Sequence, residues 1–248
     1  MLIQSQDVQR VFGYDFIGLD LTLMVAWVII LLAIRKKTRP LYFGLFGYGI
    51  YFFADYVLWY SVLHTRHIAG IDPLVFELYF SLTYAMLEFS YITLMFEEPA
   101  KWRVFWTVFL FTGWLAIGLL SIVLPSGSTI IIDRDMTSQR PVQLFGAIGE
   151  YFVLIVLARK KLAGLTFKKV ILLFFLGVYV AISMEVTLMI PGIRPATWSV
   201  FYFDSLFEIN TGVPILYLLW WMFSTGWFKK QMTGYWRNHR AESHILET

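Results

Sequence analysis

A chain of 248 residues in which 58% are hydrophobic, 15% are charged and the mean hydropathy is +0.66 lies far from the balance of a soluble domain and reads as an integral membrane protein. The net charge of +3 does not imply a nucleic-acid partner. The absence of Cys excludes disulfides, thiol nucleophiles and thiolate metal sites.

In chain order, apolar runs of about 20 residues, the length that crosses about 30 Å of hydrocarbon, fall at 17–34, 41–63, 74–96, 104–124, 143–158, 170–190 and 199–223. They predict one all-α domain over residues 1–248, a bundle of seven transmembrane helices. Basic residues ("RKKTR") follow the first run and do not precede it, so it is a span and not a cleavable signal peptide. Arg35 to Arg39, Lys101, Arg103, the segment "ARKKLAGLTFKK" and Lys229, Lys230, Arg237 and Arg240 all fall on one side of the bilayer. The other side has Arg10, Arg66, Arg134, Arg140 and Arg194. The positive-inside rule then places the N-terminus outside and the C-terminus in the cytoplasm. The one long link, "PSGSTIIIDRDMTSQRPVQ" at 125–143, reads as an outer loop over the mouth of any cavity. The spans fit a bacterial cytoplasmic membrane or the endoplasmic reticulum equally, and oligomeric state is left open.

The polar residues within the spans are where chemistry is expected, because a charge in hydrocarbon is costly and marks function by default. On the third span Glu77, Ser81, Tyr84, Glu88 and Tyr91 are spaced to share one helix face. The second span repeats this with Tyr48, Phe52, Asp55 and Trp59, and the seventh with Asp204, Glu208 and Thr211. Asp20, Glu150 and Glu185 add acids from spans one, five and six. No Lys or Arg lies within a span to pair with them, so the carboxyls are expected to be protonated, to share protons, or to bond to hydroxyls. Asp55, Glu88 and Glu208 are expected to face one shared cavity. Pro214 removes an N–H and predicts a kink that frees the carbonyl of Asn210. His64, His67, His239 and His244 form no pair inside a span, so neither a metal nor a cofactor is expected.

Aromatic residues make up 19% of the chain. Some are positioned as a membrane-interface belt, including Trp102, Trp198 and Trp236, but Phe52, Trp59, Tyr84, Tyr91, Phe203 and Phe207 interleave with the acids. Aromatic faces stabilise cations. Such a pocket suits an organic cation or a reaction that passes through a carbocation.

The segments "FFADYVLWYSVLHT" (52–65), "YFSLTYAMLEFSYITLMFEEPAKW" on the third span and "QLFGAIGEYFVLIVLARKK" on the fifth carry a resemblance. The chain resembles the integral-membrane terpene cyclases that build meroterpenoids and indole diterpenes, which have about this length and seven helices. Asp55 falls where that family has a Glu, and "EINTG" replaces a Gly-rich step on the seventh span. The resemblance implies protonation of a prenyl epoxide or alkene by a buried acid without metal or cofactor, on a hydrophobic prenylated substrate drawn from the lipid bilayer. It implies Asp55 as the acid and Glu208 or Asp204 as its partner, with Glu88 nearby. Phe52, Trp59, Tyr84, Tyr91, Glu185, Phe207 and Asn210 would contact substrate. A proton- or cation-coupled transporter or channel, and a sensor, remain as alternatives from the residues alone; a retinal protein is excluded because the seventh span has no Lys.

Overall fold

The computed structural model describes residues 7–124 and 129–227. Lys229, Lys230, Arg237, Arg240, Trp236, His239, His244 and positions 125–128 of the predicted loop lie outside the described residues.

The chain is mostly helical. The helices are α1 (Tyr14–Ile34), α2 (Arg39–Val62), α3 (Pro73–Glu97), α4 (Ala100–Val123), α5 (Met136–Arg159) and α6 (Phe167–Met189), followed by a broken pair. That pair is α7 (Trp198–Phe203), which runs on as a wider turn over Asp204–Glu208, and α8 (Val213–Ser224). Six segments are long and apolar enough to cross a membrane; α3, although 25 residues long, is not among them. The reason is its position. Residues 83–95 of α3 are buried without interruption, so this helix has protein on all sides and its composition includes hydroxyls and acids that a lipid-facing helix would not carry. Around it, large apolar side chains such as Ile29, Phe53, Val108, Phe152 and Phe175 point outward, the pattern of helices solvated by lipid.

Gly44 and Gly47 let α2 approach α3 by removing side chains at the contact. A Cβ on Gly47 would sit 2.4 Å from the Phe89 ring, and one on Gly44 would sit 2.6 Å from Met86 Sδ. Small residues let helix backbones approach and gain dispersion contacts that lipid cannot match. Trp27, Trp106 and Phe109 pack α1 on α4 in the same apolar core.

The expectation of an all-α chain is corrected at one end of the bundle. Three short strands, β1 (Asp7–Phe12), β2 (Arg66–Ala69) and β3 (Ile130–Asp135), form an antiparallel sheet in the order β1-β3-β2. The segment read as an outer loop therefore supplies β3 and the first turns of α5. Its Ile130-Ile131-Ile132 run is β-branched, and Ile130, Ile132 and Arg134 alternate inward. Register sets Arg66 opposite Arg134 and Arg10 opposite Ile132, so each strand puts one buried Arg on the face toward the helices.

The opposite end of the bundle gathers the basic links. Glu97 and Glu98, where α3 ends, accept Arg39 (3.0 Å), Arg35 (3.3 Å) and Lys37 (3.3 Å). The Arg35 guanidinium lies 3.5 Å from the Trp102 ring centre.

Candidate functional site

Beneath the sheet lies a partly open cavity of about 300 Å³. The acids that line it are Asp55 from α2, Glu88 from α3 and Glu208 from the end of α7; Trp59, Phe80 and Tyr84 supply aromatic faces. Its side toward lipid is apolar, formed by Ile50, Ala54 and Leu58 of α2 and Val142 of α5, of which Ile50 and Val142 are exposed. Arg10, Arg134 and Gln139 line its sheet end.

The expectation that no basic residue pairs with the membrane acids is overturned. Arginines counted on the sparsely charged side reach inward from the sheet and the link after α6. Arg66 bridges Asp55 (2.8 Å) and Glu77 (2.6 Å); Arg194 bridges Glu185 and Asp204; Arg134 lies 3.3 Å from Glu208. Three like charges on one sheet face would repel, and the acids below supply the compensation. Arg134 illustrates the balance: burial alone lowers its pKa, but Glu208 and Asp55 more than offset this and hold the guanidinium above its ordinary value. Because the strands and links at the sheet end fold back over the helix ends, side chains whose backbone lies outside the spans reach acids inside them.

Glu185, Asp204 and Glu208 bring carboxylate oxygens within 4.8 Å of one another. That spacing suits a cation, and Arg194 provides one to two of the three.

Glu88 differs from the other cavity acids. It is buried, Tyr51 donates a hydrogen bond to its Oε2 at 2.5 Å, and its Oε1 has no partner. No Lys or Arg among the described residues lies within ion-pair distance of it. A buried carboxyl without a cation is more stable with its proton than without it.

Other expected site residues lie elsewhere. The Tyr91 hydroxyl is 2.9 Å from Thr107 Oγ1 and its ring faces Tyr179, so it belongs to the α3–α4–α6 packing. Phe52 stacks on Tyr56 and meets Tyr48 at a tilted angle. Beyond it, over Phe53–Val62, α2 adopts a wider turn, closing with Leu63 N–H to the Leu58 carbonyl (2.9 Å), and the 3.6-residue spacing that aligned Phe52 with Asp55 no longer applies. Phe207 lines a separate, almost wholly apolar recess between α5 and α6. Asn210 is buried, accepting from the Tyr151 hydroxyl (2.7 Å) and donating to the Leu206 carbonyl (2.8 Å). Glu185 and Asp204 are sealed against Arg194 and do not reach the cavity.

Pro214 does not kink a continuous helix. The chain has already left helical geometry at Gly212 (φ +126°), and Pro214 occupies the first turn of α8, where its missing N–H has no helical partner to lose. Glu150 of α5 accepts the Gly212 N–H at 3.0 Å and thereby satisfies a backbone donor at the break. Glu150 thus has a structural task.

Sequence reasoning missed Tyr51, Gln139 and the inward arginines. The available signal was partial: Arg66 and Arg194 follow the second and sixth spans within a few residues, whereas Arg134, between Asp133 and Asp135, and Arg10 lie farther from any span. Comparison with protein-family models, with curated proteins and with solved structures returns no match to the chain.

Proposed function

We propose that the protein is a membrane-embedded, terpene cyclase-like enzyme whose seven helices all span the bilayer, with the sheet end and N-terminus outside. Its substrate is a hydrophobic prenylated molecule that enters from lipid past Ile50, Ala54, Leu58 and Val142. The observation that carries this reading is Glu88, a cation-free carboxyl with an unpartnered oxygen at a cavity walled by Trp59, Phe80 and Tyr84.

In this reading Glu88 donates its proton to a terminal alkene or epoxide. The alkene carbon gains the proton through its π electron pair, or the epoxide oxygen gains it as a ring C–O bond opens to a hydroxyl, and the electron pair of a second double bond closes onto the carbocation formed. Aromatic faces stabilise the migrating charge, and a cavity carboxylate removes the final proton. Asp55, to which the resemblance assigns the acid role, is engaged by Arg66; it and Glu208 serve as countercharge and final base, and Glu88 supplies the proton. Water exclusion keeps the cation from being quenched.

Glu88→Gln tests this, because the amide keeps size and hydrogen bonding but removes the transferable proton. Substrate binding should persist while turnover on a prenyl epoxide or alkene falls by about 10² to 10⁴. Unchanged turnover in the variant would refute the assignment.

The break between α7 and α8 favours a second reading, a cation-coupled carrier, because discontinuous helices at mid-membrane serve transporters. Flux of solute through proteoliposomes, with no product formed from any prenyl substrate, would select it.

A further inference from the structure

Among the described residues two buried arginines near the cavity belong to no ion pair, Arg10 and Arg140, and of these only Arg10 lines it. Arg66, Arg134 and Arg194 each meet a carboxylate, whereas Arg10, only 2% exposed, belongs to no ion pair among the described residues. Its Nε has no hydrogen-bond partner, and its guanidinium rests 5.7 Å from the centre of the Phe80 ring at the cavity wall. An unpaired buried cation is costly. Burial, reinforced by Arg194 and Arg134 and only partly offset by Glu185 and Glu208, pushes the Arg10 guanidinium down to about 10. An anion arriving at this point would relieve both effects, and Arg134 and the buried Gln139 line the cavity with it.

We propose that the sheet end of the cavity is a subsite for the acidic head group of an amphiphile, a carboxylate or a phosphate, held by Arg10 with Arg134 and Gln139. The apolar chain of that amphiphile would extend toward Glu88. This rests on reading the cavity as a substrate site, and it narrows the substrate class from any prenylated molecule to one with an anionic end. Arg10 is the group left for the ligand because Arg134 already engages Glu208.

The test uses the whole chain in detergent micelles and three probes: a C15 prenyl carboxylic acid, the matching C15 alcohol, and inorganic phosphate. The acid should bind tighter than the alcohol by about 10- to 100-fold, the range for hydrogen bonds to a charged group. Arg10→Gln should remove that preference while leaving the alcohol's affinity unchanged. Equal binding of acid and alcohol to the unaltered chain, or a preference that survives Arg10→Gln, would overturn the proposal. Phosphate alone that saturates the site and displaces the acid would overturn the amphiphile and make the ligand a soluble anion. If Arg10→Gln fails to fold, Arg10→Lys, which keeps the charge but loses the fork of donors, replaces it: the preference should shrink several-fold, and an unchanged preference would count against Arg10. Glu88→Gln should keep the preference even where turnover is lost, so failure of the catalytic reading and failure of the head-group subsite are told apart.

Discussion

Two arginine clamps in this molecule use the same parts and end differently. In the first, Asp55 on α2 and Glu77 on α3 share Arg66, which lies eleven residues from each. In the second, Glu185 on α6 and Asp204 on α7 share Arg194, nine and ten residues away. Each clamp ties consecutive helices through the link that joins them. The difference is access: both acids of the second clamp are fully sealed, whereas the Asp55 side chain is 14% exposed and lines the cavity. One clamp therefore lies wholly inside the protein, and the other also contributes charge to the cavity wall. The strands show a related correspondence: β1 leads into α1 and β3 into α5, each carrying an inward Arg, and the two strands pair antiparallel.

The largest effect is expected from the sealed clamp. Arg194→Met strands two buried acids and should lower stability by about 3–5 kcal/mol, read as thermal unfolding in detergent. Adding Glu185→Gln and Asp204→Asn should recover most of the loss, and a triple variant no better than the single one would show that Arg194 acts by packing and not by charge.

Arg66→Met sharpens the contrast. It strands Glu77, but Asp55 can meet water through the cavity, so the loss should be about half that of Arg194→Met. A loss equal to or larger than that of Arg194→Met would mean the two clamps are equally closed. Asp55→Asn comes next and probes the surface role directly: turnover should fall by no more than about ten-fold, well short of the loss expected at a group that transfers the proton. A fall as deep as that of Glu88→Gln, measured on the same substrate, would move the acid role to Asp55.

The smallest effect lies where β3 meets α5. Asp135 accepts the Thr137 N–H at 2.9 Å, and the Thr137 side chain first, then that backbone bond, hold its carboxyl below the ordinary value. A depressed carboxyl stabilises the fold above its unfolded pKa and loses that contribution as pH falls through its folded one. Asp135→Ala should cost about 1 kcal/mol near neutral pH, and the gap to the parent chain should close in acid. A gap that persists at low pH would assign the loss to the sheet junction and not to the cap.

The sequence by itself determined the membrane class and the location of the helices, because spanning about 30 Å of hydrocarbon demands long apolar runs that few other structures need. It also picked out Asp55, Glu88 and Glu208, which line one cavity, because an acid inside such a run is conspicuous. What it did not reveal was their partners. Arg10, Arg66, Arg134 and Arg194 lie in short links and strands whose path over the helix ends depends on pairing between segments as far apart as β1 and β3. Helical periodicity is a local property and correctly put Glu77 to Tyr91 in the interior, but α3 is buried around its whole circumference, so sharing a stripe did not decide which residues meet the cavity. Tyr91 turns toward Thr107 and Glu88 toward Tyr51. Only the tertiary arrangement of the neighbouring helices separates an acid met by a guanidinium from one left without a cation, because that distinction depends on what stands within a few ångströms across the chain.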